Sequence, residues 1–198
     1  MTILTWIDFE TTGLKPSNHR ILEYAVVFTD LELNELGCLT AIIPQGLPAV
    51  RSAMDDYVTA MHTKNGLLEE LELAEVNNPY YVSSIKQADM NLFAAFDSLK
   101  SKEETIFTIA GSNVLFDVKW MMADMPKSVG CIDHRNVIEG PESYRCLDVS
   151  GYKVGFPDIF KTATSAKHRA MDDIRASIAM HAKMRSIVED AWKYEELA

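Results

Sequence analysis

Apolar and polar residues alternate along this chain in short runs at first and in longer helical periods afterwards. Ile3-Leu4-Thr5-Trp6-Ile7 is dense in β-branched and large apolar residues, which predicts a short, well-buried strand. Ile21 to Phe28 and Leu39 to Ile43 predict two more, bounded by Thr29-Asp30 and Pro44-Gln45-Gly46, so that the three together read as an antiparallel meander. From Asp55 to about Glu75 the spacing changes to three and four residues, through Leu67, Leu68, Leu71 and Ala74, and predicts a helix. Ile85, Leu92, Phe93, Phe96 and Leu99 mark a second, clearer one. Ile106 to Ala110 predicts a buried strand, and Gly111-Ser112-Asn113 a small polar turn into a helix on which Phe116 and Trp120 share a face. Tyr144 to Val149 predicts the last strand. A C-terminal helix begins after the stretch from Thr162 to Lys167, with Met171, Ile174, Ile178 and Ala182 as its core-facing stripe. The segment from Met125 to Pro141, with its prolines and charges, fits no period and reads as an exposed connection. Strands first, then strands mixed with helices, predict an α/β fold built on a mixed sheet flanked by helices.

Composition narrows this picture without adding chemistry. The 198 residues, 47% of them hydrophobic, suit one domain, 1–198, with a full core. No apolar run approaches the length of a membrane span and no basic-then-apolar leader opens the chain, which predicts a cytoplasmic protein with no membrane attachment. Cys38, Cys131 and Cys146 are far apart and lack metal-ligand spacing, so they are expected to be reduced, mostly buried thiols. A formal net charge of -10 argues against tight, sequence-independent binding to long nucleic acid, which depends on a basic surface. It leaves room for short substrates, or for substrates bridged by divalent ions.

Candidate chemistry begins at Ile7-Asp8-Phe9-Glu10-Thr11-Thr12-Gly13-Leu14. Strand side chains repeat every two residues, so Asp8 and Glu10 share a face. Two like charges that close are unfavourable unless a cation joins them, and a hard divalent ion is the natural candidate. The segment by itself supports equally a pair of solvated carboxylates at a strand end. Asp117, early in the helix after Gly111-Ser112-Asn113, suits the helix dipole whether or not it is functional. In His168-Arg169-Ala170-Met171-Asp172-Asp173, His168 faces Asp172 if the whole segment is helical. If His168 lies on the loop before the helix, Asp173 faces the sheet, and spacing does not choose between the two aspartates.

Taken in order, these segments resemble the three exonuclease motifs of the DEDD superfamily in its histidine-bearing branch: Asp8 and Glu10, then Asn113-Val114-Leu115-Phe116-Asp117, then His168 with Asp173 five positions later. Within that branch the chain is similar to the oligoribonuclease family from about Thr5 to about Arg185. The similarity includes Met54-Asp55-Asp56-Tyr57, His62-Thr63-Lys64-Asn65-Gly66-Leu67 and Tyr144-Arg145-Cys146-Leu147-Asp148-Val149-Ser150. The resemblance implies a ribonuclease-H-like fold, a homodimer, and 3′-to-5′ hydrolysis of very short RNA to nucleoside 5′-monophosphates. It also implies two divalent ions, Mg2+ or Mn2+, on Asp8, Glu10, Asp117 and Asp173, with Asp8 bridging both. His168 is then the general base, on a mobile loop that closes over substrate.

The same resemblance assigns substrate contacts. Leu14 matches a leucine that wedges between the bases of a dinucleotide, and Tyr57 stands where an aromatic, usually tryptophan, stacks on a base. His62, Arg145 and Ser150 match residues that cap a 5′ phosphate, and Tyr144 one that reaches a neighbouring subunit's site. Ser112 and Asn113 belong to the same substrate-binding set. The chain departs from the family in two places: Gly111-Ser112-Asn113 inverts the usual Gly-Asn-Ser, and Gly151 replaces a hydroxyl residue. Both put strict dinucleotide preference in question, so an exonuclease of longer single-stranded DNA or RNA is the alternative. A silent binding module with the same fold is a third reading, against which all five catalytic-type residues speak.

Overall fold

The computed structural model describes residues 1–44, 46–73, 81–100, 105–132, 146–160 and 167–196. A five-stranded sheet runs through the middle in the order β3-β2-β1-β4-β5, formed by β1 (Thr2–Thr11), β2 (Ile21–Thr29), β3 (Glu35–Ile42), β4 (Ile106–Gly111) and β5 (Leu147–Asp148). β1, β2 and β3 form the antiparallel meander, whereas β4 and β5 join β1 in parallel, giving the mixed ribonuclease-H-like sheet.

Alternation along β1 separates two cores. Ile3, Ile7 and Phe9 face α4 (Ile85–Leu99), α5 (Val114–Asp124) and α6 (Pro126–Val129), through Leu92, Phe96, Val118, Trp120 and Met125. Leu4 and Trp6 face the other layer, through Phe160 of α8 (Pro157–Phe160) and Ala170, Ile174 and Met180 of α9 (Ala170–Glu196), with α7 (Ser150–Gly155) alongside. Every residue of β2 is buried, as expected of a strand covered on both faces. α1 (Leu47–Ser52), α2 (Asp56–Lys64) and α3 (Leu67–Glu72) close one end of the sheet, where Val50, Leu67, Leu68 and Leu71 pack on Leu22 and Ile42. None of the described helices is long and apolar enough to cross a membrane.

The predicted elements reappear with instructive differences. The single helix expected from Asp55 to about Glu75 is two, broken at Asn65-Gly66, where Gly66 takes φ 82 in the left-handed region that glycine enters without a Cβ penalty. The expected exposed connection after Met125 begins instead as part of the core: Met125, Ser128 and Ile132 are buried, and Asp89 of α4 accepts from the Ser128 backbone and hydroxyl. The rest of that segment, and the start of the last predicted strand, lie outside the described residues. The cysteines are free but not buried as expected; Cys38 and Cys146 are exposed and Cys131 is half-buried. Cys38 lies on the edge strand β3 across from Val27, and it is exposed at that edge of the sheet.

Candidate active site

Asp8 and Glu10 continue the Leu4 and Trp6 face of β1, so they emerge from the core on the side covered by α9. The parallel pairing with β4 ends at Trp6–Ala110, which leaves the next stretch of the β1 edge without a strand beside it. Asp117, in the first turn of α5 and almost fully buried, fills that place: its Oδ1 accepts the Phe9 N–H at 3.0 Å. Binding sites of open α/β sheets form at such a point, beyond the carboxyl end of a strand where the strand order reverses. A register shift between Glu10 and Thr11 interrupts the regular pairing with β2 just past the carboxylates.

Asp173 reaches the same place from the first turn of α9, on the face that carries Ile174 and Ser177 into the sheet. Its two oxygens accept the backbone N–H groups of Lys167 at 2.9 Å and His168 at 3.0 Å. His168 therefore lies on the turn before the helix, with φ 55, and not within it. Asp172 is exposed and pairs with the Lys167 ammonium. The choice between the two aspartates thus falls on Asp173. Glu10, His168 and Asp173 each present a ligand-type atom within 4.8 Å of the other two.

Electrostatics mark the cluster as incomplete by itself. Burial, then Asp173 and Glu23, push the Asp8 carboxyl up to about 8. Burial, followed by Asp8, Asp173 and Glu23, raises Glu10 to about 9, against a partial pull downward from Arg169. Asp117 is also raised well above the carboxylate range, by burial first and Asp8 second, although the Phe9 N–H opposes the shift. Among the described residues no lysine or arginine forms an ion pair with any of these four carboxylates. Hard oxygen donors with one imidazole, converging without a paired lysine or arginine among the described residues, fit a hard divalent ion.

The carboxylates floor a cleft of about 730 Å3. One wall is the loop after β1. Thr12 closes it by donating its N–H to the Arg20 carbonyl and accepting the Arg20 N–H on its hydroxyl, and the His19 ring packs so tightly on Gly13 that a Cβ there would lie 2.3 Å from it. That closure projects Leu14, 77% exposed, over the cleft. The opposite wall is α2, where Tyr57, Val58 and Met61 line the space and Asp55 caps the helix by accepting the Val58 N–H. Ser112, Asn113 and Phe116 line it from the β4–α5 turn, and Lys153 from α7.

This chain matches the exonuclease family model over residues 5–180. It is 31% identical over 181 residues to the oligoribonuclease of Corynebacterium diphtheriae, covering 88% of this chain and 78% of that protein. The oligoribonuclease of Alcanivorax borkumensis is 32% identical over 181 residues, covering 89% of this chain and 90% of the relative. It belongs to the oligoribonuclease family. A third member, from Buchnera aphidicola, is 30% identical over 198 residues, with 98% and 96% covered. Among solved structures, E. coli exonuclease I in complex with a dT13 oligonucleotide shares the fold with a TM-score of 0.59 at 15% identity. The match covers 98% of this chain but 43% of that longer one.

Against the set expected for an oligoribonuclease, the structure brings Asp8, Glu10, Asp117, His168 and Asp173 together, with Leu14, Tyr57, Ser112 and Asn113 on the walls. Tyr144 and Arg145 lie outside the described residues. His62 is not on the wall: it is fully buried, and its Nε2 donates to the Thr11 carbonyl at 3.0 Å, fastening α2 to the end of β1. Burial above all lowers its pKa, so the ring stays neutral there. The Ser150 hydroxyl donates to Asp148 Oδ1 at 2.6 Å. Asp148 organises the turn, accepting also the Asn113 and Ser150 N–H groups. Although burial alone would raise Asp148, these bonds hold it below its ordinary value. The anchored Asn113 takes φ 61, a conformation asparagine tolerates better than most residues, which accounts for its place at the end of the inverted Gly111-Ser112-Asn113 turn. Sequence reasoning missed Val58, Met61 and Asp148. The four-residue step from Tyr57 to Met61 was a usable signal for one of them.

Proposed function

We propose that this protein is a metal-dependent 3′-to-5′ exoribonuclease that finishes very short RNA, dinucleotides above all, releasing nucleoside 5′-monophosphates. The observation that carries the reading is the convergence of Asp8, Glu10, Asp117, Asp173 and His168 on the floor of one cleft of small-ligand size. Two divalent ions, Mg2+ or Mn2+, held by the four carboxylates would supply Lewis-acid charge for the water that attacks phosphorus and for the departing 3′ oxygen. His168 takes the proton from that water, a role suited to an imidazole near neutral pH. Leu14 separates the two bases and Tyr57 stacks on one of them, so that the reacting phosphodiester is held over the carboxylates. Arg145, from the segment similar to the family, supplies a charge-assisted contact to the 5′ phosphate, and Tyr144 reaches the neighbouring subunit's site. The acidic surface, net -10, disfavours a long strand running out of the cleft. Family resemblance further supports a single domain working as a cytoplasmic homodimer, which sedimentation tests.

End-labelled dinucleotide and a long single-stranded RNA, each incubated with Mn2+ or Mg2+ and then with chelator, test the proposal. Preferential, metal-dependent cleavage of the dinucleotide is expected. Equal or faster cleavage of the long strand favours the longer-chain exonuclease, and no metal-dependent turnover of either leaves a silent module.

A further inference from the structure

The turn that carries His168 is held more firmly than a closing loop requires. A non-glycine residue keeps φ 55 only where its surroundings over-determine it, and here they do so from three sides. Asp173 accepts the N–H groups of Lys167 and His168, and Asn65 Nδ2 donates to the His168 carbonyl. Arg169 then forks between two carboxylates. Its Nε and one terminal nitrogen donate to Glu23 at 3.1 to 3.3 Å, and its two terminal nitrogens donate to Glu70 at 2.7 and 3.0 Å. Glu23 also accepts the Ala170 N–H at 3.2 Å.

The partners belong to elements that surround the cleft, although Glu23, Glu70 and Arg169 themselves line a separate hollow. Glu23 is buried on β2 directly opposite Glu10, where its charge adds to the negative cluster; Arg169 offsets part of it. Glu70 sits on α3, and Asn65 ends α2, whose Tyr57, Val58 and Met61 line the cleft. We propose that Glu23, Arg169, Glu70 and Asn65 form a clamp of positioning residues that presets the His168 imidazole toward Glu10 and Asp173 and ties it to the helix on which substrate rests. The proposal rests on the nuclease reading of the cleft. Its consequence is that the base is in place before substrate arrives, in contrast to a mobile loop that closes afterwards, and that the planar fork of arginine is required to bridge both carboxylates.

Two variants test this, Arg169→Lys, which cannot bridge both partners, and Glu70→Ala, which cuts only the half-exposed outer arm and leaves the buried pair intact. With dinucleotide as substrate, kcat is expected to fall about 10- to 100-fold in Arg169→Lys and less in Glu70→Ala, at unchanged KM. Mn2+ affinity measured by calorimetry should stay at the wild-type value. In metal-free protein, amide hydrogen exchange at His168 and Ala170 should speed up while that of β1 and β2 does not change. A wild-type kcat in both variants overturns the clamp, as does unaltered exchange at the turn. A fall in Mn2+ affinity in step with kcat overturns it too, because the carboxylates and not the base would then have moved. If Arg169→Lys does not fold, Glu70→Ala decides. If the wild-type protein cleaves no dinucleotide, the functional reading fails, while exchange in the metal-free protein still decides whether the clamp exists.

Discussion

Asp117 shows how one side chain serves fold and chemistry together. One oxygen satisfies the Phe9 N–H that no strand reaches, and burial beside Asp8 makes its charge costly. Asp117→Asn keeps an oxygen for Phe9 and removes the charge. In chelator its Tm should equal or exceed that of the wild type, whereas the Tm gain on adding Mn2+ should be lost and hydrolysis should drop by about 100-fold or more. A Tm gain of wild-type size would remove Asp117 from the metal set. His168 is the complementary case, because its ring lies within reach of Glu10 and Asp173. His168→Ala should lower kcat by about 10²- to 10⁴-fold with Mn2+ affinity retained, as for a general base. Lost affinity in a calorimetric titration would make the imidazole a ligand instead.

At the scale of elements, the break between α2 and α3 matters most. Apolar spacing reads through it, since Leu67, Leu68 and Leu71 are buried against the sheet at helical intervals. The left-handed Gly66 nonetheless redirects the chain, so α2 turns Tyr57 and Met61 to the cleft while α3 packs on Leu22 and carries Glu70 toward Arg169. Tyr57, 72% exposed, has little to hold but substrate. Tyr57→Ala should raise the dinucleotide KM about 5- to 100-fold with a smaller effect on kcat, the range expected for one lost base stack, and Tyr57→Trp should lower it. Steady-state kinetics on both variants check this, and an unchanged KM in Tyr57→Ala would put the base elsewhere.

For the whole molecule, the raised carboxyls link stability to pH. Asp8 and Glu10, at about 8 and 9 in the fold against ordinary values of 3.8 and 4.5, keep protons that the unfolded chain has already released. A group raised in this way costs no stability below its unfolded pKa, and its penalty grows until the folded group ionises. The metal-free Tm should therefore decline as pH rises from about 5 to about 9, and the gain on adding Mn2+ should be larger near pH 8.5 than near pH 6. Thermal unfolding in chelator and in Mn2+ measures both; a Tm in chelator that is flat over this range would mean that the carboxylates are not desolvated together.

The amino-acid sequence by itself determined what depends on neighbours a few residues apart. Alternation put Asp8 and Glu10 on one face of β1, helical spacing predicted α4, α5 and α9, and three motifs in order pointed to the family. Spacing left Asp172 and Asp173 both open and the family motif pointed to Asp173; tertiary structure alone showed that Asp173 turns inward to accept the His168 N–H, that His62 is bonded to the Thr11 carbonyl, and that Ser150 donates to Asp148. It also revealed Arg169, which sequence read only as part of a motif. The reason is separation along the chain: the bond from Phe9 to Asp117 spans 108 positions and those from Arg169 to Glu23 span 146, and neither leaves a period or a local pattern to read. Periodicity reports which face of an element is buried, while the partner a polar group meets there depends on which other elements the fold packs against it.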